Sequence, residues 1–199
     1  QDLSERAGAT GPLDLGASIE ALYNPLVRRL RALRKPVVCA VNGVAAGAGA
    51  NLALACDIVL AARSATFIQS FARIGLVPDS GGTFFLPRLI GDARARALAL
   101  LAEPLDAGTA AQWGLIWKAV DDAELMDEAR ALTARLAHRP TQGLARIKAA
   151  LNASPGNSLD AQLDLERDLQ REAGRTPDYR EGVRAFMEKR PPNFTGRPE

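Results

Sequence analysis

The fold class follows from residues 36–62, PVVCAVNGVAAGAGANLALACDIVLAA. A continuous apolar run, Pro36–Val41, and a second predicted strand, Asp57–Ala61, which is aliphatic after its first residue, flank a segment rich in Gly and Ala that becomes helical from Asn51. Continuous aliphatic runs with β-branched residues are typical of strands buried on both faces of a parallel sheet. A strand, a helix and a second strand within so short a span predict a βαβ unit, and hence an α/β protein.

Length and composition indicate one globular protein with a largely aliphatic core. The chain has 199 residues, of which 47% are hydrophobic, 24% charged and 5% aromatic, which excludes an intrinsically disordered chain. With 25 Lys and Arg against 23 Asp and Glu, the near-neutral balance points to neither nucleic acid nor an anionic membrane as a partner. Two cysteines make no disulfide framework, so we expect a reducing compartment, the cytoplasm.

The opening of the chain does not resemble a targeting segment. It begins at Gln1 rather than Met, and residues 1–16, QDLSERAGATGPLDLG, lack the charged-then-apolar order of a signal peptide. We therefore expect that processing or truncation has removed what preceded Gln1. The most apolar stretch, residues 43–62, is interrupted by Asn51 and Asp57, so it makes a poor membrane span and no membrane partner is expected.

The remaining pattern predicts further helices and strands. Leucines at i, i+4, i+8 and i+11 predict an amphipathic helix over Ala17–Leu33, with Asp14 or Ser18 as its N-cap. Further strands are expected at Thr66–Ile68 and Ile116–Val120, and further helices at Ser80–Leu89, Asp92–Leu101, Asp106–Gly114, Ala123–Ala137, Thr141–Ala153, Ser158–Ala173 and Pro177–Lys189. The sequence thus predicts an α/β core over residues 1–121 and a helical region over residues 122–199.

The first candidate for chemistry is the strand-to-helix junction at residues 42–51, NGVAAGAGAN. Small residues at such a junction leave backbone N–H groups unshielded and directed at whatever fills the cleft, which favours an anion or an oxyanion there. A dinucleotide fingerprint is excluded, because Leu52 stands where that motif needs Gly or Ala. Close packing of helix against strand, which also needs small side chains, explains the segment equally well.

The second candidate is Asp79, which follows Pro78 and directly precedes a predicted helix. Asp in that place is a favoured N-cap, and from the residues alone this role has the stronger support. A general base is the alternative, because the nearby residues in sequence are apolar. They are Ile74, Leu76, Val77, Phe84 and Phe85. Desolvation raises the pKa of a carboxyl group towards the range useful for proton transfer, whereas a helix N-terminus lowers it.

Other reactive side chains form no recognisable pattern in the sequence. His138 is the sole histidine and has no second His or paired thiol beside it, so we expect no metal. Cys39 and Cys56 lie in or next to predicted strands and are expected to be small core residues. The chain has no Ser in a nucleophile-elbow pattern and no P-loop.

Taken together, several motifs resemble the crotonase family, the enoyl-CoA hydratase/isomerase superfamily. They are KPVVCAVNG at 35–43, AGAG at 46–49, CDI at 56–58, GLVPDSGGT at 75–83 and REGVRAFMEKR at 180–190. The resemblance extends in order along the whole chain, and Gln1-Asp2-Leu3 is similar to the end of the family's first active-site motif. It implies a spiral of ββα units whose opening strands we expect this chain to lack. It also implies a C-terminal helical region that forms a homotrimer or a dimer of trimers.

The resemblance also implies the substrate and the residues that bind it. Members of the family act on acyl-CoA thioesters, so coenzyme A is part of the substrate and no separate cofactor is expected. Two backbone N–H groups stabilise the enolate oxygen, and by position they belong to Ala48 and Gln1. Gly47 and Gly49 flank the first of these and would face the substrate. The residues implied to contact coenzyme A are Asp2, Leu3, Phe186 and Lys189. For the two on the closing helix, a solvated amphipathic face is an equal alternative.

Departures from the family pattern narrow the reaction. Where hydratases of the family carry two glutamates that activate water, this chain has Asn51 and Phe71, so hydration is disfavoured. Asp79 stands where several isomerases of the family carry their acidic residue, which makes a general base the favoured role and leaves capping compatible with it. Asn51 is expected to face the substrate beside an apolar wall that excludes water. The wall consists of Phe71, Leu76, Val77 and Phe84.

Within the family, the chain is similar to the isomerases of phenylacetate degradation, which convert ring-1,2-epoxyphenylacetyl-CoA to oxepin-CoA. The similarity rests on YNPLVRRL at 23–30, AARSA at 61–65, QLDLERD at 162–168 and DYREG at 178–182. We therefore expect a CoA-thioester isomerase; related members shift a double bond between the 3 and 2 positions of enoyl-CoA. Two alternatives stay open: an enoyl-CoA hydratase that uses another base, and a non-catalytic member that binds acyl-CoA or RNA.

Overall fold

The computed structural model describes residues 14–197. The α-helices in this range are α1 (Leu15–Ser18), α2 (Asn24–Ala32), α3 (Ala48–Leu54), α4 (Gly82–Ile90), α5 (Asp92–Leu101), α6 (Ala107–Trp113), α7 (Leu125–Ala137), α8 (Thr141–Ala153), α9 (Leu159–Ala173) and α10 (Pro177–Met187). The strands are β1 (Val38–Val41), β2 (Val44–Ala46), β3 (Ile58–Ala62), β4 (Thr66–Ile68), β5 (Leu105–Asp106) and β6 (Lys118–Val120). A π segment occupies Ile19–Tyr23, and short 3-10 turns occupy Ser70–Ile74, Asp122–Glu124 and Ser154–Gly156.

Two small sheets form the centre of the α/β core. Strands β1, β3 and β6 pair in that order and all run parallel, with Val38 opposite Ile58. In the second sheet, β2 pairs with β4 in parallel and β4 pairs with β5 in antiparallel orientation. The βαβ unit predicted for residues 36–62 is confirmed, since β1 and β3 are parallel and α3 lies between them in the chain.

This unit also contains a strand that the sequence pattern did not predict. Strand β2 lies inside the Gly- and Ala-rich segment, and it leaves the sheet of β1 to pair with β4 in the other sheet. Two of its three residues are alanine, which has low strand propensity, so its local signal is weak. The chain runs through β1, β2 and α3, and then through β3, β4 and α4. Each of these two ββα units contributes one strand to each sheet, and its helix follows. This is the expected spiral of ββα units.

The two strands that were expected to be buried on both faces differ in burial. In β3 the residues from Val59 to Ala62 are buried, and Leu60 has no exposed surface. In β1 only Val41 is buried and the other three residues are half-buried, so the expectation was wrong for β1. The cause is its position in the sheet. Among the described residues β1 pairs only with β3, whereas β3 lies between β1 and β6.

The first helix begins at a predicted cap but is not regular. The carboxylate of Asp14 accepts a hydrogen bond from the N–H of Ala17 at 3.0 Å. The helix predicted over residues 17–33 is widened at the π segment Ile19–Tyr23, directly before α2. Pro25 is near the start of α2, and a proline ring clashes with the carbonyl group four residues earlier in a regular helix. The wider turn gives that ring room.

The C-terminal helices pack onto the α/β core. Leu125 and Leu132 of α7 belong to the same buried hydrophobic cluster as residues of α3 and β3. On α8, the ammonium group of Lys148 lies 2.7 Å from Oδ2 of Asp57, directly before β3. These contacts attach the helical region to the sheet of β1, β3 and β6. The domain boundary expected at residue 121 stays a prediction.

Candidate active site

The strand-to-helix junction contains a backbone turn that glycine adopts easily and other residues do not. Gly47, between β2 and α3, has φ +54° and ψ −125°, a region in which a side chain is strained. A Cβ atom at this position would lie 3.2 Å from the hydroxyl oxygen of Ser70 and 3.6 Å from the ring of Phe71. The glycine therefore lets the backbone pass close to the segment after β4 and then turn into α3.

Backbone N–H groups without an acceptor in the described part of the chain follow this turn. Helix α3 begins at Ala48, and Gly47 as its N-cap has no side chain that could accept a hydrogen bond. The N–H of Asn51 bonds to the carbonyl oxygen of Gly47 at 3.2 Å. The N–H groups of residues 48–50 have no acceptor among the described residues. The predicted oxyanion donor, Ala48, thus has an N–H that no described residue accepts, at a helix start, where the backbone dipoles favour negative charge.

Asp79 lies in the loop that leads into α4, and its carboxylate does not cap that helix. Helix α4 begins at Gly82, its N-cap is Gly81, and no side chain from residues 14–197 caps this end. Ser80 and Gly81 have φ values of +51° and +85°, so a left-handed turn separates Asp79 from the helix. The expectation that Asp79 caps the helix was wrong, because this turn delays the helix start by two residues relative to the prediction.

The carboxylate of Asp79 is half-buried and has one hydrogen-bond donor among residues 14–197. That donor is the hydroxyl of Ser80, whose Oγ lies 3.0 Å from Oδ1 of Asp79. Ser80 is only 2% exposed and has the positive φ that non-glycine residues avoid. Such strained backbone is found preferentially at functional sites. The second carboxylate oxygen, Oδ2, accepts no hydrogen bond from the described residues.

Asn51 does not face a substrate cavity, and the predicted contact with substrate was therefore wrong. The residue has no exposed surface. Its Nδ2 donates to the main-chain oxygen of Asp79 at 2.8 Å, and its Oδ1 accepts from Nε2 of Gln69 at 2.8 Å. The amide is used within the core because it lies between α3, the end of β4 and the Asp79 loop. The bond to Asp79 holds that loop against α3, whose first residue is Ala48.

The predicted apolar wall is open in the described part of the chain. Phe71 is 6% exposed and packs beneath the Gly47 turn. Leu76, Val77 and Phe84, in contrast, are 39%, 79% and 45% exposed. That these side chains exclude water stays a prediction, because in residues 14–197 the loop directs them outward and no other element covers them.

An open groove with a volume of about 680 Å³ borders the Asp79 loop. It lies between α2 and the start of α4, and its lining includes Arg28, Arg31, Gly81, Phe84 and Phe85. The rings of Phe84 and Phe85 meet edge to face with their centres 5.4 Å apart. The guanidinium carbon of Arg31 lies 5.6 Å from the centre of the Phe85 ring. The groove thus presents aromatic surface beside positive charge.

Two of the residues expected to contact coenzyme A, Asp2 and Leu3, lie outside the described residues, as does Gln1, the second expected oxyanion donor. Phe186 is 83% exposed on α10 and lines a groove within the C-terminal helical region. Lys189 follows the end of that helix, at the surface. Their contact with coenzyme A stays a prediction.

Side chains that ligate metals do not cluster within residues 14–197, where no three His, Cys, Asp or Glu residues could hold an ion together. Cys39 and Cys56 are free, half-buried and packed against the core. The hydrogen bond to Cys39 raises the pKa of the Cys56 thiol, which makes it a poor nucleophile. Separately, none of the helices over the same residues is long and apolar enough to cross a membrane.

Two residues of this site have no distinctive signal in the sequence. Gln69 is 3% exposed and binds Asn51, yet a single glutamine after a strand predicts nothing. Ser80 precedes two glycines, which is typical of a turn, but that pattern does not reveal the bond from its hydroxyl to Asp79. The Gln69–Asn51 contact joins residues 18 apart that only the fold brings together, whereas Ser80 and Asp79 are adjacent and their bond depends on the local backbone turn.

The geometry defines a class of site. The main chain of Asp79, a half-buried residue, is joined through Asn51 to a helix whose first N–H groups have no acceptor among residues 14–197. A carboxylate and such donors can together remove a proton from the carbon next to a carbonyl group while the carbonyl oxygen gains negative charge. The chain belongs to the enoyl-CoA hydratase/isomerase family, whose profile, described as Enoyl-CoA hydratase/isomerase, matches residues 1–197.

Similar members of this family carry both isomerase and hydratase names. The 1,2-epoxyphenylacetyl-CoA isomerase of Escherichia coli (strain K12) is 60% identical over 199 residues, which cover 99% of this chain and 76% of that protein. A Rhodobacter capsulatus protein named "Probable enoyl-CoA hydratase" is 52% identical over 197 residues, covering 99% of this chain and 76% of its own length. A crystal structure of an enoyl-CoA hydratase from Polaromonas sp. JS666 is 36% identical, with a TM-score of 0.88, and covers 96% of this chain and 74% of that one. The crotonase-like fold is confirmed.

Proposed function

We propose that this protein isomerises a CoA thioester through an enolate, with Asp79 as the general base. One observation carries the proposal: the Asp79 carboxylate is free of helix capping, and its loop is held against α3 by Asn51. The 60% identity to a 1,2-epoxyphenylacetyl-CoA isomerase, over 99% of this chain, supports the same substrate. The product is then oxepin-CoA.

The reaction moves a proton and rearranges bonds without losing a group. Oδ2 of Asp79 takes the proton from the carbon next to the thioester carbonyl, and the electron pair of that C–H bond moves onto the carbonyl oxygen. The N–H of Ala48, together with that of Gln1, donates to this oxygen. Protonated Asp79 returns the proton to a carbon further along the conjugated system. In the epoxide, the ring carbon–carbon bond bridged by oxygen also opens, and the product remains an isomer of the substrate.

The general base and the oxyanion donors are each expected to contribute to the rate of the reaction. A positioned general base contributes on the order of 100-fold to 10,000-fold in rate. Each oxyanion donor contributes on the order of 100-fold to 1,000-fold, because it is already aimed at the oxygen that becomes charged. Gly47 and Gly49 flank the first donor with no side chain, which leaves space for the thioester to approach.

The exposed apolar side chains of the Asp79 loop provide the surface for the acyl group. Leu76, Val77 and Phe84 are not covered by other described residues, and an aromatic acyl group bound there would cover them. Each Å² of apolar surface removed from water contributes about 25 cal/mol of favourable free energy. The substrate itself thus completes the wall that keeps water from the enolate. Phe186 and Lys189 remain the proposed contacts for the CoA moiety.

A homotrimer, or a dimer of trimers, is proposed as the assembled form. Helix α10 exposes a run of large apolar side chains. They are Tyr179, Val183, Phe186 and Met187, which are 56%, 47%, 83% and 75% exposed. An apolar face of this kind is typical of a surface that another chain covers. Light scattering on the purified protein should give three or six times the chain mass of 21.2 kDa; a monomer contradicts the proposal.

Hydration is the second candidate, because one relative at 52% identity carries a hydratase name. The two positions where family hydratases have glutamates hold a buried, hydrogen-bonded Asn51 and a buried Phe71, and neither side chain is a base. We therefore expect no loss of the crotonyl-CoA absorbance on incubation with the protein. Rapid loss of that absorbance would favour the hydratase.

The substitution Asp79→Asn tests the proposed function. Turnover of 1,2-epoxyphenylacetyl-CoA should fall by at least about 100-fold, the scale of general acid–base catalysis. The dissociation constant of phenylacetyl-CoA, which cannot rearrange, should stay within about twofold. Asp127→Asn makes the same chemical change on the exposed face of α7 and should retain turnover. Unchanged turnover by Asp79→Asn would remove this residue from the mechanism.

A further inference from the structure

We propose that Asn51 is a positioning residue, whose buried amide sets the place of the Asp79 carboxylate relative to the start of α3. This inference rests on the proposed function, since it assigns Asn51 a role through Asp79. It replaces the substrate contact expected from the sequence. The residue has no exposed surface, so its effect on turnover comes only through the Asp79 loop.

The direction of the hydrogen bonds around Asn51 is determined by the main chain. The oxygen of Asp79 can only accept, so the group of Asn51 that faces it at 2.8 Å is the amide nitrogen. The oxygen of Asn51 then faces Gln69, which must present its own nitrogen, at 2.8 Å. Asn51 therefore has one orientation, and aspartate or leucine in its place lacks the amide N–H that Asp79 accepts.

The space around Asn51 is filled on the side of α4. A Cβ atom on Gly82 would lie 2.3 Å from Nδ2 of Asn51 and 2.7 Å from its Cγ, far inside contact distance. The amide therefore packs directly against the backbone at the start of α4. This close fit prevents the Asp79 loop from sliding along α3, because any shift must move either the helix or the amide.

A second hydrogen bond holds the side chain of Asp79. The hydroxyl of Ser80 donates to the Asp79 carboxylate at 3.0 Å, and Ser80 has positive φ although it is not glycine. Strained backbone persists only where surrounding contacts determine it. The bonds from Asn51 to the carbonyl and from Ser80 to the carboxylate together restrict both the backbone and the side chain of Asp79.

Loss of the Asn51 amide should loosen the loop without unfolding it. The carbonyl oxygen of Asp79 also accepts from the N–H of Gly82 at 2.9 Å, so it keeps one donor when Asn51 is replaced. The link to α4 survives and the link to α3 is lost. A displacement of the base by about 1 Å is enough to reduce turnover by on the order of 100-fold, whereas substrate binding elsewhere is not affected.

The experiment removes the hydrogen bond from Asn51 to the main-chain oxygen of Asp79 without leaving the amide of Gln69 unpaired. Asn51→Leu alone would leave Gln69 without its partner, which is costly in a core. The double variant Asn51→Leu/Gln69→Met replaces both amides with apolar side chains of similar size and should fold. We expect kcat for 1,2-epoxyphenylacetyl-CoA to fall by about 10-fold to 100-fold, with KM within about twofold of the wild-type value. The midpoint of thermal unfolding should shift by only a few degrees.

A second measurement reports on the base directly. The exchange of the protons next to the carbonyl of phenylacetyl-CoA can be monitored by NMR in D2O, and it needs only the base and the enolate. The rate of this exchange should fall in parallel with kcat in the double variant. Asn157→Leu, in the exposed turn before α9, is the matched control and should leave both rates unchanged.

The outcomes separate this inference from the proposed function. If the wild-type protein neither converts the epoxide nor exchanges these protons, the proposed function is refuted and the inference with it. If the wild-type protein is active and the folded double variant keeps kcat and exchange within about twofold, Asn51 is only a structural residue and the inference alone is refuted. A fall in kcat with KM within about twofold of the wild-type value and an unfolding midpoint within a few degrees supports it.

Discussion

The ammonium group of Lys148 lies 2.7 Å from Oδ2 of Asp57, and the two side chains are only 7% and 18% exposed. The same ammonium donates to the carbonyl oxygens of Leu30 and Lys35, at 2.8 Å and 3.3 Å. Oδ2 of Asp57 also accepts from the N–H of Val37 at 2.7 Å. One lysine on α8 therefore joins the end of α2, the start of β1 and the start of β3.

Lys148→Met should destabilise the protein by about 3–5 kcal/mol, because it leaves the buried carboxylate of Asp57 without its main counter-charge. Urea unfolding measures the change. Lys118→Met removes an ion pair with Glu128 in which both side chains are almost half exposed, and it should cost only about 0–1 kcal/mol. Equal losses in the two variants would show that Lys148 does not join the helical region to the core.

Gly47→Ala should reduce turnover while the protein stays folded. Alanine is strained at φ +54°, and its Cβ would approach Ser70, so the turn must shift and carry the N–H of Ala48 with it. Loss of one oxyanion donor reduces kcat by on the order of 100-fold to 1,000-fold.

Gly43→Ala is the matched control for this change. A Cβ atom at Gly43 meets no atom within 4 Å, and its backbone is not left-handed. Steady-state kinetics of both variants on 1,2-epoxyphenylacetyl-CoA should show a loss only for Gly47→Ala. Equal kinetics in the two would mean that the Gly47 turn does not place an oxyanion donor.

Gly82→Ala should be destabilising, by about 1–3 kcal/mol, because its Cβ overlaps the amide of Asn51. Asn51→Ala in the same chain opens the space that this Cβ needs. The double variant should therefore be more stable than the sum of the two single changes predicts, and chemical unfolding of the three variants measures this coupling. Simple additivity would show that the two residues do not compete for space.

The C-terminal segment after α10 should detach at acid pH. The hydrogen bond from Arg190, followed in importance by that from the N–H of Asn193, lowers the pKa of Glu181 to about 2 from its ordinary 4.5. Because the folded-state value is the lower one, the ionised carboxylate favours the attached segment. This contribution is complete above pH 4.5 or so and is lost as the pH falls towards 2.

Amide hydrogen exchange at Asn193, measured by NMR, follows this detachment. Exchange should accelerate as the pH falls from about 4.5 towards 2, beyond the intrinsic change of exchange rate with pH. Glu181→Gln should remove the extra pH dependence, since the group no longer titrates, whereas Glu128→Gln on α7 should keep it. An identical pH response in wild type and Glu181→Gln would contradict the assignment.

Local patterns predicted the helices and most strands well. Helices α5 and α8 have the predicted bounds, Asp92–Leu101 and Thr141–Ala153, because helix periodicity and breaks at Pro and Gly are read from neighbouring residues. Strand β2 was missed, since its partner is β4, which lies after the intervening helix and strand. The family and its fold were also visible in the motifs, and the matching profile and structure confirm both.

The sequence by itself determined which residues stand at the site: an acid at 79, a glycine turn at 47 and an amide at 51. Only the tertiary structure decided what two of them do. The left-handed turn at Ser80 frees Asp79 from capping, and burial turns Asn51 into a link between segments 28 residues apart. The physical reason is that charge, shape and propensity belong to a residue, whereas burial and hydrogen-bond partners are supplied by parts of the chain that meet only in the folded protein.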